Sequence, residues 1–455
     1  MPEFHLLPVT AITALLVTAA ANGGTSDILP DYIYGYAPVA MEATRSLLTA
    51  VPNASTVPGL APINQFSYGN ILATPDERII IRPNADTLYT TAWLDLAQEP
   101  MILHVPDTGG RYYLMPMLDA YSNDFASIGS RTTGTGEGNY AIVGPFWRGT
   151  LPQGLSGVVD APTNTVWLIG RTLVHGEADL ASAAELTKQY KLVPLSAYPD
   201  FAATGVYTPP GNVPVTPPNP DFTGAPITNS PVFSKPQFFD VLSKIALRNP
   251  PPPPQLLQAS RLVLDGFIHQ NQLTPDTVTQ ADNAFAAKLR ATVTQQNGWS
   301  INGGSYGTDY LERAAITRIG FGTNIPADAV YPSTTMDASG NPLVGTNSYV
   351  IHFVPGQTPP VRGFWSLTVY DENGFLVANS INRYAAGSET GLVPNADGSI
   401  DILLQNTAPA TMQSNWLPTP TTAFSLTLRL YWPDEPVLNG TWTIPAVQPG
   451  AAGLP

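Results

Sequence analysis

Two regions of the chain alternate between apolar and polar positions with a period of two, the pattern of strands with one face buried. The first runs over residues 79–173. In 88–96, Leu88, Thr90, Ala92, Leu94 and Leu96 share one face, and Tyr89, Thr91, Trp93 and Asp95 the other. Residues 101–106, 111–119, 140–143 and 165–170 predict further strands, separated by turns at Asp107-Thr-Gly-Gly and in the Gly-rich stretch 129–138. The second region is expected to begin near Ala314 and to hold strands at 348–354, 364–370, 375–379, 400–404 and 424–432. In the last of these, Leu426, Leu428, Leu430 and Trp432 face one way, and Ser425, Thr427, Arg429 and Tyr431 the other. Asp371-Glu-Asn-Gly and Asn395-Ala-Asp-Gly sit where hairpin turns belong.

Between and before these regions the period changes. Residues 27–50 predict a helix, with Asp31 as a capping residue, apolar positions at Ile33, Val39, Met41, Leu47 and Leu48, and a first turn made irregular by Gly35 and Pro38. Helices are also expected at 179–191, 237–248, 256–270 and 276–296, the second stopped by prolines 250–254 and the last started by Thr274-Pro-Asp. The proline-rich segment 208–236 predicts an extended connection over the surface. The fold expected is mainly β with helical insertions. Two jelly-roll-like β-sandwich domains (27–207 and 298–447) are joined by the 208–236 connection and a helical segment (237–297).

Residues 6–21 are apolar, end in small residues and are interrupted by Pro8, which reads as an export signal over 1–22 cleaved near 19–21. Its leading residues carry Glu3 and His5 and no lysine or arginine, so an uncleaved apolar first helix is the alternative. The expected location is secreted, extracellular or periplasmic. Asn53-Ala-Ser and Asn439-Gly-Thr match the glycosylation acceptor, making Asn53 and Asn439 candidate sites.

Composition narrows the function. The 20 basic residues against 34 acidic ones, net −14, argue against nucleic acid and against an anionic membrane surface as partners. With no cysteine among 455 residues, disulfides, thiol catalysis and thiolate metal sites are excluded. The five histidines (His5, His104, His175, His269, His352) show no metal-ligand spacing, and no metal or cofactor is expected. There is no G-x-S-x-G elbow and no Gly-rich phosphate loop.

Two constellations remain. In the first, Asp86 or Asp119 would serve as acid/base or orienting carboxylate, Arg111 or Arg131 as an anion clamp, and Tyr89 or Tyr113 as a hydroxyl donor, with Asn123 nearby. The alternative is a structural salt-bridge network closing the sandwich. In the second, Trp365, Arg383, Tyr384, Asn415 and Trp416 combine rings with polar groups, as carbohydrate or aromatic recognition requires, and Tyr310 and Arg313 could reach the same place. The alternative there is that the rings are core and Arg383 pairs with a carboxylate.

At these constellations the sequence resembles two known families. Tyr34-Gly-Tyr-Ala-Pro, Pro83-Asn-Ala-Asp-Thr-Leu-Tyr, Gly110-Arg-Tyr-Tyr, Leu118-Asp-Ala-Tyr, Gly129-Ser-Arg-Thr-Thr-Gly and Val143-Gly-Pro resemble the domain-of-unknown-function family catalogued as 1254. Phe364-Trp-Ser-Leu-Thr-Val-Tyr-Asp, Asn382-Arg-Tyr, Asn415-Trp-Leu-Pro and Tyr431-Trp-Pro resemble its companion catalogued as 1214. The resemblance implies two jelly-roll-like domains with helices between them, often in exported proteins that self-associate. It brings no established activity, and it draws attention to Asp86, Arg111, Asp119 and Arg383 without assigning roles. Two functions follow as expectations. One is an enzyme acting on a small molecule or glycan through a polar pocket in the first β domain. The other is a non-catalytic ligand-binding protein or a self-assembling homo-oligomer.

Overall fold

The structure, a computed structural model, describes residues 27–78, 81–251, 255–301 and 306–450. The expected export signal and His5 lie outside the described residues, as do Ile79 and Ile80 at the start of the first alternating region.

Helix α1 (Leu29–Leu48) precedes the first β unit. That unit comprises β1 (Ser67–Tyr68), β2 (Thr87–Asp95), β3 (Met101–Val105), β4 (Tyr113–Asp119), β5 (Asp124–Gly129), β6 (Gly138–Val143), β7 (Gly157–Asp160), β8 (Thr165–Leu173) and β9 (Lys191–Pro194), with helices α2 (Leu180–Thr187) and α3 (Tyr198–Thr204) around β9. One sheet has the order β1-β2-β8-β4-β5, the other β7-β6-β3-β9. Ala92, Leu94, Met115, Met117 and Leu168 of the first meet Leu103, Ile142 and Leu192 of the second in one core. The opposite face of the first sheet is also covered: Trp93 stacks on Trp167 at 4.9 Å, beneath Met41 of α1. A sheet buried on both faces explains why every residue of β4 and β8 is buried, where simple alternation predicts an exposed face. The strands β5 and β9 were not foreseen. The first is half-polar along its length, and the second follows directly on α2, where a longer helix to residue 191 was expected.

The helical unit packs α1 against α4 (Gln237–Arg248), α5 (Leu256–Ile268), α6 (Pro275–Thr292) and α7 (Tyr310–Gly320) around Tyr32, Tyr36, Phe238, Phe239 and Phe285. Gly35 sits where α1 and α4 approach most closely: a Cβ there would lie 2.7 Å from Phe238 and 2.8 Å from Leu242. Pro38 stands inside α1, which continues past it to Leu48. Asp31 does not cap α1; it is buried within the first turn. Thr274 does cap α6, accepting from the Thr277 N–H at 3.3 Å. The 208–236 segment departs from the expected surface path, because Phe222, Val232 and Phe233 are buried in the helical core. The second β region begins earlier than Ala314, with strands from Thr294, and is interrupted by α7, which runs through Ala314 to Gly320.

The second β unit contains β10 (Thr294–Gln296), β11 (Trp299–Ile301), β12 (Ala329–Val330), β13 (Ser333–Thr334), β14 (Tyr349–Phe353), β15 (Trp365–Asp371), β16 (Ala385–Gly387), β17 (Ile400–Gln405), β18 (Trp416–Pro418), β19 (Phe424–Tyr431) and β20 (Gln448–Pro449), with the short α8 (Glu435–Leu438). A seven-stranded sheet runs β10-β11-β13-β19-β15-β16, with β12 also on β19, and a four-stranded sheet runs β18-β17-β14-β20. Leu367, Val369, Leu426, Leu428 and Leu430 of the first pack on Ile351, Phe353, Ile402 and Leu404 of the second. Residues 375–379 form no strand, and the β19 alternation stops at Trp432, whose φ is +50°. Among the described residues no helix is long and apolar enough to cross a membrane.

Candidate functional site

The polar face of β19 proves to be the key to where the two β units meet. Ser425, Thr427, Arg429 and Tyr431 share one face, as their spacing requires, and all four are buried. They face residues 82–89 and strand β8 of the first unit. Tyr112, Leu114, Leu173, Ala329, Phe364 and Tyr431 form the apolar part of this seam.

The seam is crossed by hydrogen bonds between side chains far apart in sequence. Arg82 donates to Thr427 Oγ1 at 2.9 Å, and Asn84 Nδ2 to the Tyr431 hydroxyl at 2.7 Å. Ser366 Oγ donates to Asp86 Oδ2, and the Tyr370 hydroxyl to the Pro83 carbonyl at 2.6 Å. Arg429 donates to Thr368 Oγ1 at 2.7 Å, to the Arg82 and Pro83 carbonyls at 2.9 and 3.3 Å, and to the Tyr370 hydroxyl. Asn84 holds the loop in shape by accepting from the Asp86 N–H at 2.6 Å. Arg82 itself adopts φ +53°, a conformation rare outside glycine. Burial raises the Asp86 carboxyl above the ordinary range, while the Ser366 donor and the nearby Arg429 oppose the rise.

Arg171 enters the same seam from β8. Its Nη1 donates to the Ile169 carbonyl at 3.0 Å and to Asn324 Oδ1 at 3.2 Å, and its guanidinium lies 5.7 Å from the centre of the Tyr89 ring. Tyr89 accepts from the Asn84 N–H at 3.3 Å. Next to it, Arg131 donates to Asp328 Oδ1 at 2.7 Å, and Asp124 Oδ2 accepts from the Ile325 N–H at 3.3 Å. Asp124 Oδ1 and Asp328 Oδ2 are buried without a hydrogen-bond partner. Burial, reinforced by the neighbouring Asp328, pushes the Asp124 carboxyl up to about 7.

The expected first constellation is therefore divided. Asp86 and Tyr89 lie in the seam, with Arg131 at its flank. Asp119 stands at the opposite end of β4, six residues beyond Tyr113 or about 20 Å at 3.3 Å per residue. It accepts from the Tyr121 and Asn123 N–H groups at 2.8 and 2.9 Å and from Asn123 Nδ2. Arg313 lies near it, buried, 4.9 Å from the Tyr310 ring and 5.3 Å from the Tyr34 ring, and donates to the Tyr34 carbonyl at 3.1 Å. Arg111 is held by Asp179 through a two-pronged ion pair and by the Leu173 carbonyl. The Tyr113 hydroxyl contacts Thr133 Oγ1 at 3.3 Å.

The second constellation is not a surface patch. Trp365 and Trp416 are buried, the former against Phe353 at 5.2 Å, the latter donating to the Gln405 carbonyl at 2.8 Å. Among the described residues Arg383 pairs with no carboxylate: it donates to the Gln413, Ser414 and Trp416 carbonyls and so ties down their loop. Tyr384 bonds Asn382 at 3.2 Å. Tyr310 and Arg313 sit in the helical unit beside Asp119. Asn53 and Asn439 are exposed. Among the described residues no cluster of three metal-ligating side chains occurs. A cavity of about 330 Å³ lies away from the seam, between Ser55, Tyr68, Asn70 and Lys188.

Sequence reasoning passed over Arg171, Tyr370, Asn324 and Asp328. The signal for Arg171 was present: a lone arginine within a nine-residue apolar strand must be buried, and a buried cation demands an explanation.

A comparison with curated proteins finds no match. The chain resembles the VPA0106 protein from Vibrio parahaemolyticus at 24% identity, with a TM-score of 0.66, over 94% of this chain and 100% of that one. That likeness extends to the fold. A putative uncharacterized protein from Burkholderia cenocepacia aligns at 14% identity and a TM-score of 0.46, over 97% and 96% of the two chains. Residues 63–194 match the family described as "Protein of unknown function (DUF1254)" and residues 328–435 the family described as "Protein of unknown function (DUF1214)". One region of the chain thus matches each family, as its motifs imply, and the polar seam forms between the two matched regions.

Proposed function

We propose that this is an exported protein of two jelly-roll-like β domains that binds a small molecule at the seam between them. One observation carries the reading: polar side chains of both β units (Asn84, Asp86, Tyr89, Arg171, Ser366, Arg429 and Tyr431) converge on one buried place. A purely structural joint needs only apolar contact, and burying polar groups is costly unless they serve recognition or order. The site is then shared by both units and does not belong to the first alone. Arg111, Asp119, Asn123, Arg313 and Arg383 keep local structural partners and fall outside it. Asn53 and Asn439 stay proposed as glycan acceptors on exposed turns.

Asp86 favours a second reading, that the bound molecule is chemically changed. A buried carboxyl raised above its ordinary range and bonded to a serine hydroxyl has the character of a general acid/base.

The test is a thermal-shift screen of the full chain against sugars, phenolics and organic acids. The reading expects a stabilising compound whose effect disappears in Tyr431→Phe and Asn84→Ala. A compound whose effect survives both variants binds elsewhere and sinks the seam reading. Product formation lost in Asp86→Asn, with binding kept, would favour the enzyme.

A further inference from the structure

We infer that the ligand of the seam is a small oxyanion, held by Arg171 and Arg429; the inference rests on the seam being a binding site. The observation is an imbalance of charge. Arg45, Arg111, Arg131 and Arg362 each have a carboxylate in ion-pair contact. Arg171, Arg313 and Arg429, at 7%, 1% and 3% exposure, have none among the described residues; Arg313 lies by Asp119 in the helical unit, whereas at the seam the partners of Arg171 and Arg429 are carbonyls, hydroxyls and an amide. Asp124 feels the charge of Arg171 and Asp86 that of Arg429, but burial raises both carboxyls above the ordinary range, so neither is a full counter-charge. Two buried cations without matching anions are unfavourable unless an anion completes them.

The neighbours suit that role. Tyr331, Tyr431, Tyr89 and Tyr112 all act on the Arg171 guanidinium through their field, with the Tyr89 ring 5.7 Å from it. The Tyr431 and Tyr331 oxygens accept from Asn84 and Asn324 amides, each at 2.7 Å, and the two hydroxyls bond each other, so one O–H proton of the pair is left to donate. Guanidinium forks and phenolic O–H groups together are a donor set for carboxylate or phosphate oxygens. A neutral sugar or phenol would leave both charges uncompensated. The donors come from both β units, so an anion bound between them would also strengthen the joint.

The experiment is thermal shift and titration calorimetry on the full chain with benzoate, succinate and inorganic phosphate, against benzamide and succinamide as uncharged counterparts. Arg171→Met removes the charge, Arg171→Lys and Arg429→Lys keep it without the fork, and Arg148→Ala, an exposed arginine, is the control. Each variant is checked for fold by circular dichroism. The expected result is a Tm rise of about 3–5 °C at a hundredfold excess over Kd for one anion class. It should be absent with the amides, lost in Arg171→Met, weakened at least tenfold in the lysine variants and unchanged in Arg148→Ala. Response to benzoate and succinate alone identifies a carboxylate, and response to phosphate alone a phosphoryl group. If the amides stabilise as well as the acids and Tyr431→Phe abolishes both effects, the seam binds but not by charge; the oxyanion inference fails and the site reading stands. An anion effect that survives Arg171→Met places the anion elsewhere and overturns the inference. Silence from every compound in this panel and in the wider screen overturns both.

Discussion

Asp86, in the turn just ahead of β2, and Asp119, at the end of β4, are buried carboxyls at strand ends of the same sheet, and they are accommodated in opposite ways. Every donor to Asp119 comes from Tyr121 and Asn123, a few residues downstream, so the carboxyl closes its own turn. The donor that reaches the Asp86 carboxyl is Ser366, 280 residues away, with Arg429 close enough to act through its field. The first arrangement is a local folding device. The second exists only once the two β units have docked. The difference teaches where function is to be sought: a polar group satisfied by its own turn needs nothing more, whereas one that depends on another domain marks a place where the domains, or something between them, must agree.

The comparison is broken most forcefully at Arg429. Arg429→Ala removes the donors to the Arg82 and Pro83 carbonyls, Thr368 and Tyr370 at once, leaving buried acceptors unpaired. A loss of about 3–5 kcal/mol is expected. Because the seam joins two β units that each have their own core, urea unfolding should separate into two transitions. A single transition with an unchanged midpoint would show that Arg429 does not hold the units together.

Asp124 offers a subtler handle. Its folded pKa of about 7 lies above the ordinary 3.8, so the folded state holds a proton that the unfolded chain has already released. The resulting stability is fully present below pH 4 and is lost as the pH rises toward and through 7. At about 1.4 kcal/mol per unit, this one group accounts for a decline on the order of a few kcal/mol. Asp124→Asn should flatten that part of the pH profile, seen as urea midpoints that differ less between pH 5 and pH 8 than in the wild type. Smaller again is Asp119→Ala, expected to cost about 2 kcal/mol through the turn it closes. Asp119→Asn should recover part of that, because an amide oxygen still accepts the backbone N–H groups. An Asp119→Ala protein as stable as the wild type would remove the local-device interpretation.

How far these places were legible in the sequence follows the same division. The Gln237–Arg248 helix, the Thr274 cap and the β19 alternation were readable because their causes are local: a 3.6 or 2.0 period, a threonine ahead of a proline, and turn residues. Asp86 and Tyr89 stood out as polar residues opening an apolar strand. That they meet Arg429 and Tyr431 was hidden, because no pattern in either segment encodes the docking of one sheet on another. The same limit applied to Trp365 and Trp416. As isolated aromatics beside polar residues they suggested recognition, but cross-sheet packing makes them core. Strand β5 escaped notice because it keeps polar residues, Asp124 and Ser127, where a strand pattern would have apolar ones; its Asp124 end pairs with Leu118 beside Asp119.

The smallest effect sharpens the comparison furthest. Arg111 and Asp179 make a two-pronged pair near the surface, with Asp179 also accepting from the His175 N–H at 2.8 Å. The Arg111 donor holds the Asp179 carboxyl below the ordinary range. Its contribution therefore has the opposite sign from that of Asp124: present above the unfolded pKa and lost as the pH falls through it. Solvent screening keeps the coupling small, about 1 kcal/mol or less in a double-mutant cycle of Arg111→Ala and Asp179→Ala at neutral pH. The cycle should shrink toward zero once the pH is low enough to protonate Asp179, below the ordinary carboxylate range, and neither variant should alter anion binding at the seam. A coupling that persists in acid would mean the pair is held by geometry without need of charge. Loss of binding in Arg111→Ala would instead draw Arg111 back beside Asp86 as part of the site, and the boundary between local and cross-domain polar groups would have to be redrawn.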